Sequence, residues 1–382
     1  MNFDYNEEQQ LLADSVRRFL AKDYAFEARR KIIASKDGWS PSVWAQLTEM
    51  GLMGLPFSPD YGGFGGGAVD LMGVMEAAGD AMLVEPYLAT VGLGAQFVAR
   101  AGSDAQKKSI LTAVVEGKLK MAFAHTEKGS RYNLSKVAAQ ARIATSGAGS
   151  SWEITGEKFV VLGAPSADTF VVSAKTDKGL SLFLVKKESV KVKAYVTLDE
   201  QRAGDVSLTK APGELLGAEG GALPVIEEVM DFATALICAE AVGAMKFACD
   251  TTLEYLKTRK QFGVTIGTFQ ALQHRMVDMY VSYEQAKSMA CLAASKSDSP
   301  VDGGKDRTSA VDRARSISAA KIKIADACRH VSQEAIQLHG GMGMTDEMKV
   351  SHTFKRLTMI AQQFGDAEHH LARFAALDRH VS

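Results

Sequence analysis

Two short segments in the last third of the chain carry side chains suited to holding a phosphate-bearing ligand. They are Arg259-Lys260-Gln261-Phe262-Gly263 and Gln337-Leu338-His339-Gly340-Gly341-Met342-Gly343. The first offers a guanidinium, an amide and an aromatic face. The second offers an amide followed by backbone without Cβ atoms, which can lie against a pyrophosphate. Each follows a long helical pattern, so this chemistry sits at helix ends. Taken singly, Arg259 also reads as a cation favoured by a helix C-terminal dipole, and Gly340–Gly343 as a helix stop. His339 reads as packed at the turn rather than catalytic.

The chain that positions them has 382 residues, 46% of them hydrophobic, with a formal net charge of -1. That length implies two or three domains, and the neutral balance argues against a nucleic acid held by bulk charge. No run approaches about 18 uninterrupted apolar residues, so no membrane span is expected. Met1-Asn2-Phe3-Asp4-Tyr5 lacks the basic start and apolar run of a secretory signal. Cys238, Cys249, Cys291 and Cys328 lie in helical patterns without metal-type spacing and read as buried thiols of a reducing cytoplasm. With no HExxH and with His369 and His370 adjacent, no metal site is expected.

Residues 1–118 read as a helical domain. Asn6 and Gln9 form a capping box, Ser40-Pro41 opens a helix that Gly51 stops, Pro59–Gly67 is a loop, and Asp104 caps a further helix. Residues 119–220 change pattern: β-rich runs at Val160–Leu162, Thr169–Ala174, Leu180–Val185 and Val190–Val196 predict a small antiparallel barrel or sandwich. No alternating βαβ pattern supports a Rossmann domain. Residues 221–382 return to helix, with long apolar periods over Gly221–Thr258, Phe269–Lys296 and Thr308–Leu338, shorter ones after Asp346 and Asp366, and a loop over Ser297–Gly304. Long helices with short connections make an antiparallel bundle. The fold class is α+β, in the order helices, barrel, bundle.

That order and five ordered motifs together resemble the acyl-CoA dehydrogenase family over nearly the whole chain. Besides the two segments above, Tyr61-Gly62-Gly63 matches a first-domain loop, Phe123-Ala124-His125-Thr126-Glu127 opens the middle domain, and Gly156-Glu157-Lys158-Phe159 leads into a flavin-facing strand. The resemblance implies an enzyme that holds FAD non-covalently and oxidises an acyl-CoA thioester to the 2,3-enoyl-CoA, passing electrons to an electron-transferring flavoprotein. It implies a tetramer in which Arg259, Gln261, Phe262, Gln337, Gly340 and Gly341 reach a neighbour's FAD. Thr126 and the backbone of Phe159, Val160 and Val161 would face the isoalloxazine ring. A guanidinium suits a pyrophosphate, and backbone donors suit a reduced ring.

Removal of the thioester α-proton needs a carboxylate in a dry pocket, and both places where the family supplies one lack it. Nine residues past Arg356 stands Gly365, after Phe364; ten before Gly243 stands Ala233. Three explanations stay open. Glu240 shares a helical face with Ala233 and Ile237 and serves either as base or in a buried ion pair. Asp366 and Glu368 substitute, or Asp366 only caps a helix. Otherwise the base belongs to another polypeptide. Where the family continues Gly-Ser-Asp toward coenzyme A, this chain has Arg131-Tyr132-Asn133, with Arg131 and Tyr132 as substrate contacts. This is similar to the small subunits of bacterial heteromeric dehydrogenases of the pimeloyl-CoA or steroid side-chain type, which pair with a larger homologous subunit. The alternatives are a non-catalytic partner subunit and a flavin oxidase or monooxygenase of the same fold.

Overall fold

The computed structural model describes residues 5–144, 151–298 and 310–378. The N-terminal third is helical: α1 (Glu7–Asp23), α2 (Phe26–Ala34), α3 (Pro41–Glu49), α4 (Ala68–Ala81), α5 (Ala95–Ala101) and α6 (Asp104–Val115). The expected capping box forms, with Gln9 N donating to Asn6 Oδ1 at 2.8 Å and Asn6 N to Gln9 Oε1 at 3.0 Å. Ser40 caps α3, with Pro41 in its first turn. The cap of α6 falls one residue earlier than predicted: Ser103 Oγ accepts from Gln106 N, and Asp104 is the first helical residue, where its charge favours the dipole.

The β segment has β1 (Met121–Ala124), β2 (Gln140–Ile143), β3 (Trp152–Leu162), β4 (Thr169–Thr176), β5 (Gly179–Lys186), β6 (Lys191–Val196) and β7 (Arg202–Leu216). Pairing runs β4-β2-β3-β7-β5 and returns from β5 to β4, closing a small barrel. Most pairs are antiparallel as predicted, but β1 and β2 both lie parallel to β4. Closure leaves the barrel path without a free edge, and its interior is filled by Ala122, Ile154, Val161, Phe170, Phe183 and Val206.

The last part comprises α7 (Ala222–Thr258), a two-stranded hairpin of β8 (Lys260–Gln261) and β9 (Val264–Thr265), α8 (Gln270–Asp298), α9 (Ala310–His339), α10 (Lys349–Gln362) and α11 (Ala367–Asp378). Helix α9 packs against α8, α10 and α11. Of the predicted Ser297–Gly304 loop, Ser297 and Asp298 belong to α8, and residues 299–304 lie outside the described residues, as does Thr308. Asp298 instead caps α4, accepting from Ala68 N and Val69 N at 2.6 and 2.8 Å. Helix α7 contains a window of mean hydropathy 1.5, long and apolar enough to cross a membrane, yet 89% of it is buried within the protein. It reads as a core helix. A Cβ on Gly243 would meet Glu76 O at 1.8 Å, so only glycine lets α7 approach α4 here.

Two compact units divide the chain differently from its linear order. One contains residues 1–30, 67–83 and 234–382, the other residues 31–66 and 84–233, with the boundary falling inside α7.

Candidate cofactor and catalytic residues

In the barrel unit, the pivot is Lys158 on β3, whose side chain is fully buried. Its ammonium donates to Glu127 Oε1 at 2.7 Å, Ser173 Oγ at 3.1 Å and His125 O at 3.2 Å. Burial lowers the Lys158 pKa to about 8 against the pull of Glu127. Burial also opposes charge on Glu127, but hydrogen bonds from Lys158, Ala139 N and Ala138 N outweigh it and hold that carboxyl below the usual range. His125, hydrogen-bonded to Ser173, is pushed down to about 3 by burial and by the Lys158 charge. This network fixes the segment carrying Thr126, whose carbonyl accepts from Phe159 N at 2.8 Å.

A β-bulge follows. Lys158 opposes Val206 and Val161 opposes Gly204, so Phe159 and Val160 share a single partner, Asp205. The extra residue shifts the alternation by one: counting from the buried Lys158, Val161 and not Val160 points into the barrel core, and Val160 is 53% exposed. Thr126 is half-buried, and its hydroxyl has no hydrogen bond among the described residues. Arg131 is exposed at φ +46°, and Tyr132 beside it is half-buried.

In the other unit, the helix ends that precede the two sequence segments are joined. The Tyr255 and His339 rings stack at 4.5 Å between centroids, joining the last turns of α7 and α9. Beyond Tyr255 the chain turns through Phe262 (φ +53°) and Gly263 (φ +80°), two consecutive left-handed residues of the kind a two-residue hairpin requires. The Phe262 ring is 91% exposed. Arg259, Gln261 and Gln337 are exposed. The Arg259 guanidinium and the Gln337 amide have no partner among the described residues. Among the described residues, Gln261 Nε2 donates only to the carbonyl of Lys260. An added Cβ on Gly340 or Gly341 would meet nothing within 4 Å. His339 is packed, as expected: Nδ1 donates to Ala335 O at 2.8 Å, which leaves Nε2 as an acceptor that is buried and unpartnered. Unengaged cationic and amide donors beside open glycine backbone fit a pyrophosphate-bearing dinucleotide.

The candidate bases have other partners. Glu240 is buried on α7, and its Oε1 accepts from Arg356 Nε at 2.6 Å, with each side chain 5% exposed. This is the ion pair that sequence left open. Asp366 Oδ1 accepts from His369 N at 2.8 Å and thus caps α11. Glu368, in the first turn of α11, is exposed. Ala233 is fully buried and carries no carboxylate. Gly365 has φ +122°, and a Cβ on it would meet His370 Nε2 at 2.5 Å, so the turn admits no side chain without rearranging. Sequence reasoning missed what closes this turn. The fully buried Lys321 donates to the carbonyls of Ile360, Ala361 and Gly365 at 2.8, 3.2 and 2.9 Å. His370 Nε2 donates to Phe364 O at 3.2 Å. A lysine on the apolar face of α9 was the available signal.

Comparison with known proteins finds three family models along the chain: acyl-CoA dehydrogenase N-terminal domain over residues 6–118, middle domain over 122–209 and C-terminal domain over 220–376. Acyl-CoA dehydrogenase FadE12 of Mycobacterium tuberculosis is 30% identical, covering 94% of this chain and 93% of its own. Among solved structures, the ChsE4–ChsE5 complex of Mycobacterium tuberculosis is 25% identical with a TM-score of 0.86, covering 98% of each chain. PigA with FAD and proline is 26% identical with a TM-score of 0.89, covering 100% of each chain.

Proposed function

The chain belongs to the acyl-CoA dehydrogenase family, and on that premise we propose that it is one of two homologous subunits that together dehydrogenate an acyl-CoA thioester, in the breakdown of organic acids or steroid side chains. It is an enzyme subunit with FAD as cofactor. When bound, FAD would supply the acceptor for the hydride lost from the acyl β-carbon. Arg259 and Gln337 supply charge and hydrogen bonds to its pyrophosphate, Gly340 and Gly341 let backbone approach, and Gln261 and Phe262 complete this contact. On the barrel, the Thr126 hydroxyl and the Phe159–Val161 backbone meet the ring. Arg131 and Tyr132 take the coenzyme A side, and an electron-transferring flavoprotein receives the electrons.

The observation that carries the two-subunit reading is Gly365. Its left-handed turn is clamped by Lys321 and His370 where the family's sequence pattern puts a glutamate. With Glu240 engaged by Arg356 and Asp366 engaged as a cap, proton abstraction falls to a carboxylate of the larger homologue. The ChsE4–ChsE5 likeness supports such pairing.

The test is expression of the chain alone and together with a larger homologue, followed by flavin stoichiometry and acyl-CoA-dependent flavin bleaching with straight-chain, dicarboxylic and steroid side-chain thioesters. We expect no turnover from the chain alone, and turnover with half-occupancy of FAD per chain in the pair. Full occupancy with turnover in the chain alone would overturn the reading.

A further inference from the structure

The barrel holds a β-branched residue in a conformation its side chain strongly disfavours. Val160 has φ +52°, and a β-branched residue in the left-handed region is an outlier in any fold. Bulges that need this conformation ordinarily use glycine there. Strain of this kind persists only where the surroundings over-determine it, and it gathers at ligand sites.

The surroundings here are two side chains from two other strands. Val160 N–H donates to Asp205 Oδ1 on β7 at 3.3 Å, and Tyr195 OH on β6 donates to the same oxygen at 3.0 Å. On the other side of the bulge, Phe159 N is tied to Thr126 O. Burial first, and then Asp205, push the Tyr195 phenol up to about 12, so it stays a donor across the working pH range. Barrel closure alone does not explain the arrangement. The core is already filled by Val161, and the strained residue is the exposed one, next to Phe159, whose N–H ties the bulge to the segment carrying the unengaged Thr126 hydroxyl.

We propose that Asp205 and Tyr195 are positioning residues that lock the Val160 bulge and thereby set the backbone against which the isoalloxazine ring rests. The proposal rests on the FAD reading above. Neither residue touches the flavin. By holding the Val160 N–H on a carboxylate at the outer face, they fix the peptide planes of the bulge, and with them the backbone dipoles that face the ring. A ring held by fixed backbone dipoles has a midpoint potential that those dipoles set, so loosening the clamp shifts the potential as well as the affinity.

Asp205→Ala, Asp205→Asn, Tyr195→Phe and Val160→Gly, each made in the chain and co-expressed with its partner where needed, test this. Amide exchange over residues 158–161 is read on the FAD-free protein; the FAD dissociation constant, visible flavin spectrum and midpoint potential are read on the loaded one. Loss of a hydrogen bond to a charged acceptor corresponds to about a tenfold effect. Asp205→Ala is therefore expected to speed exchange and to weaken FAD by about tenfold, with a shifted potential, and Asp205→Asn, which keeps an acceptor oxygen, to restore most of it. In a Val160→Gly background, where the left-handed turn needs no clamp, Asp205→Ala should change FAD affinity by less than about twofold. If Asp205→Ala does not fold, Tyr195→Phe reads the same quantities with an expected change of about threefold. Folded variants with exchange, affinity and potential unchanged overturn the proposal. A wild-type chain that binds no FAD, alone or paired, overturns the flavin reading instead, and the exchange measurement still judges the clamp.

Discussion

At the scale of single residues, the Glu240–Arg356 pair bears most directly on the proposal that the base lies in a partner subunit. A base must be free to meet substrate, whereas this carboxylate accepts a guanidinium hydrogen bond at 2.6 Å with both side chains buried. Removing one partner of a buried pair strands the other charge, which costs about 3–5 kcal/mol. Glu240→Gln keeps size and an acceptor but discards the charge, and is expected to lower unfolding stability by about 3 kcal/mol. Adding Arg356→Met should recover part of that loss, because no unpaired charge then remains. Denaturant unfolding of the single and double variants measures this. A Glu240→Gln protein as stable as wild type, with bound flavin that substrate no longer bleaches, would return the catalytic role to Glu240.

At the scale of elements, the β8–β9 hairpin puts an aromatic residue where its turn prefers asparagine or glycine. Phe262 at φ +53° gains little from burial: its ring is 91% exposed and meets Phe269 edge-on at 6.3 Å between centroids, which is a small return for a strained turn residue. Phe262→Asn is predicted to stabilise the protein slightly, by up to about 1 kcal/mol, while weakening FAD about tenfold as an aromatic contact is lost. Calorimetric unfolding and flavin titration read the two effects, and unchanged FAD affinity would remove Phe262 from the cofactor contact. The same element shows what a sequence can reveal. The long helices α7 and α8 were legible because the 3.6-residue period repeats over many turns. Strands β1 and β2, of four residues each, carry too few alternations to register, and β7 is interrupted by Gly204, Pro212 and Gly213, although it pairs with β3, β5 and β6. The Arg259 and Gln337 segments were visible as local motifs. The Val160–Asp205–Tyr195 clamp and the Lys321–Gly365 contact were not, because they join residues distant in sequence that no local spacing encodes.

At the scale of the whole molecule, histidines whose pKa burial lowers make stability depend on pH, and His125 and His370 are the two with the largest shifts. His125 in the barrel is lowered to about 3 by burial and the Lys158 charge. His370 on α11 is lowered to about 3 by burial, then by Lys321, His369 and Arg373. Unfolded, both titrate near 6.5, so between pH 6.5 and 3 the unfolded chain binds more protons than the native one. Stability from this source is complete above 6.5 and is lost as pH falls toward 3, by up to about 1.4 kcal/mol per pH unit for each histidine. Glu127, held below its ordinary range, adds to the loss only once pH falls under its unfolded value of 4.5. Lys158 acts at the other end. Its native pKa of about 8 against 10.5 unfolded makes stability rise between those values as its buried charge is relieved. Urea midpoints are therefore expected to change little between pH 6.5 and 8 and to fall steadily from 6.5 to 5. The double variant His125→Asn/His370→Asn should be less stable at pH 7.5, where two buried hydrogen-bonding side chains have been replaced, yet show a flatter fall below 6.5. If its acid slope equals that of wild type, the protons taken up on unfolding belong to other groups, and the account of these two buried imidazoles fails.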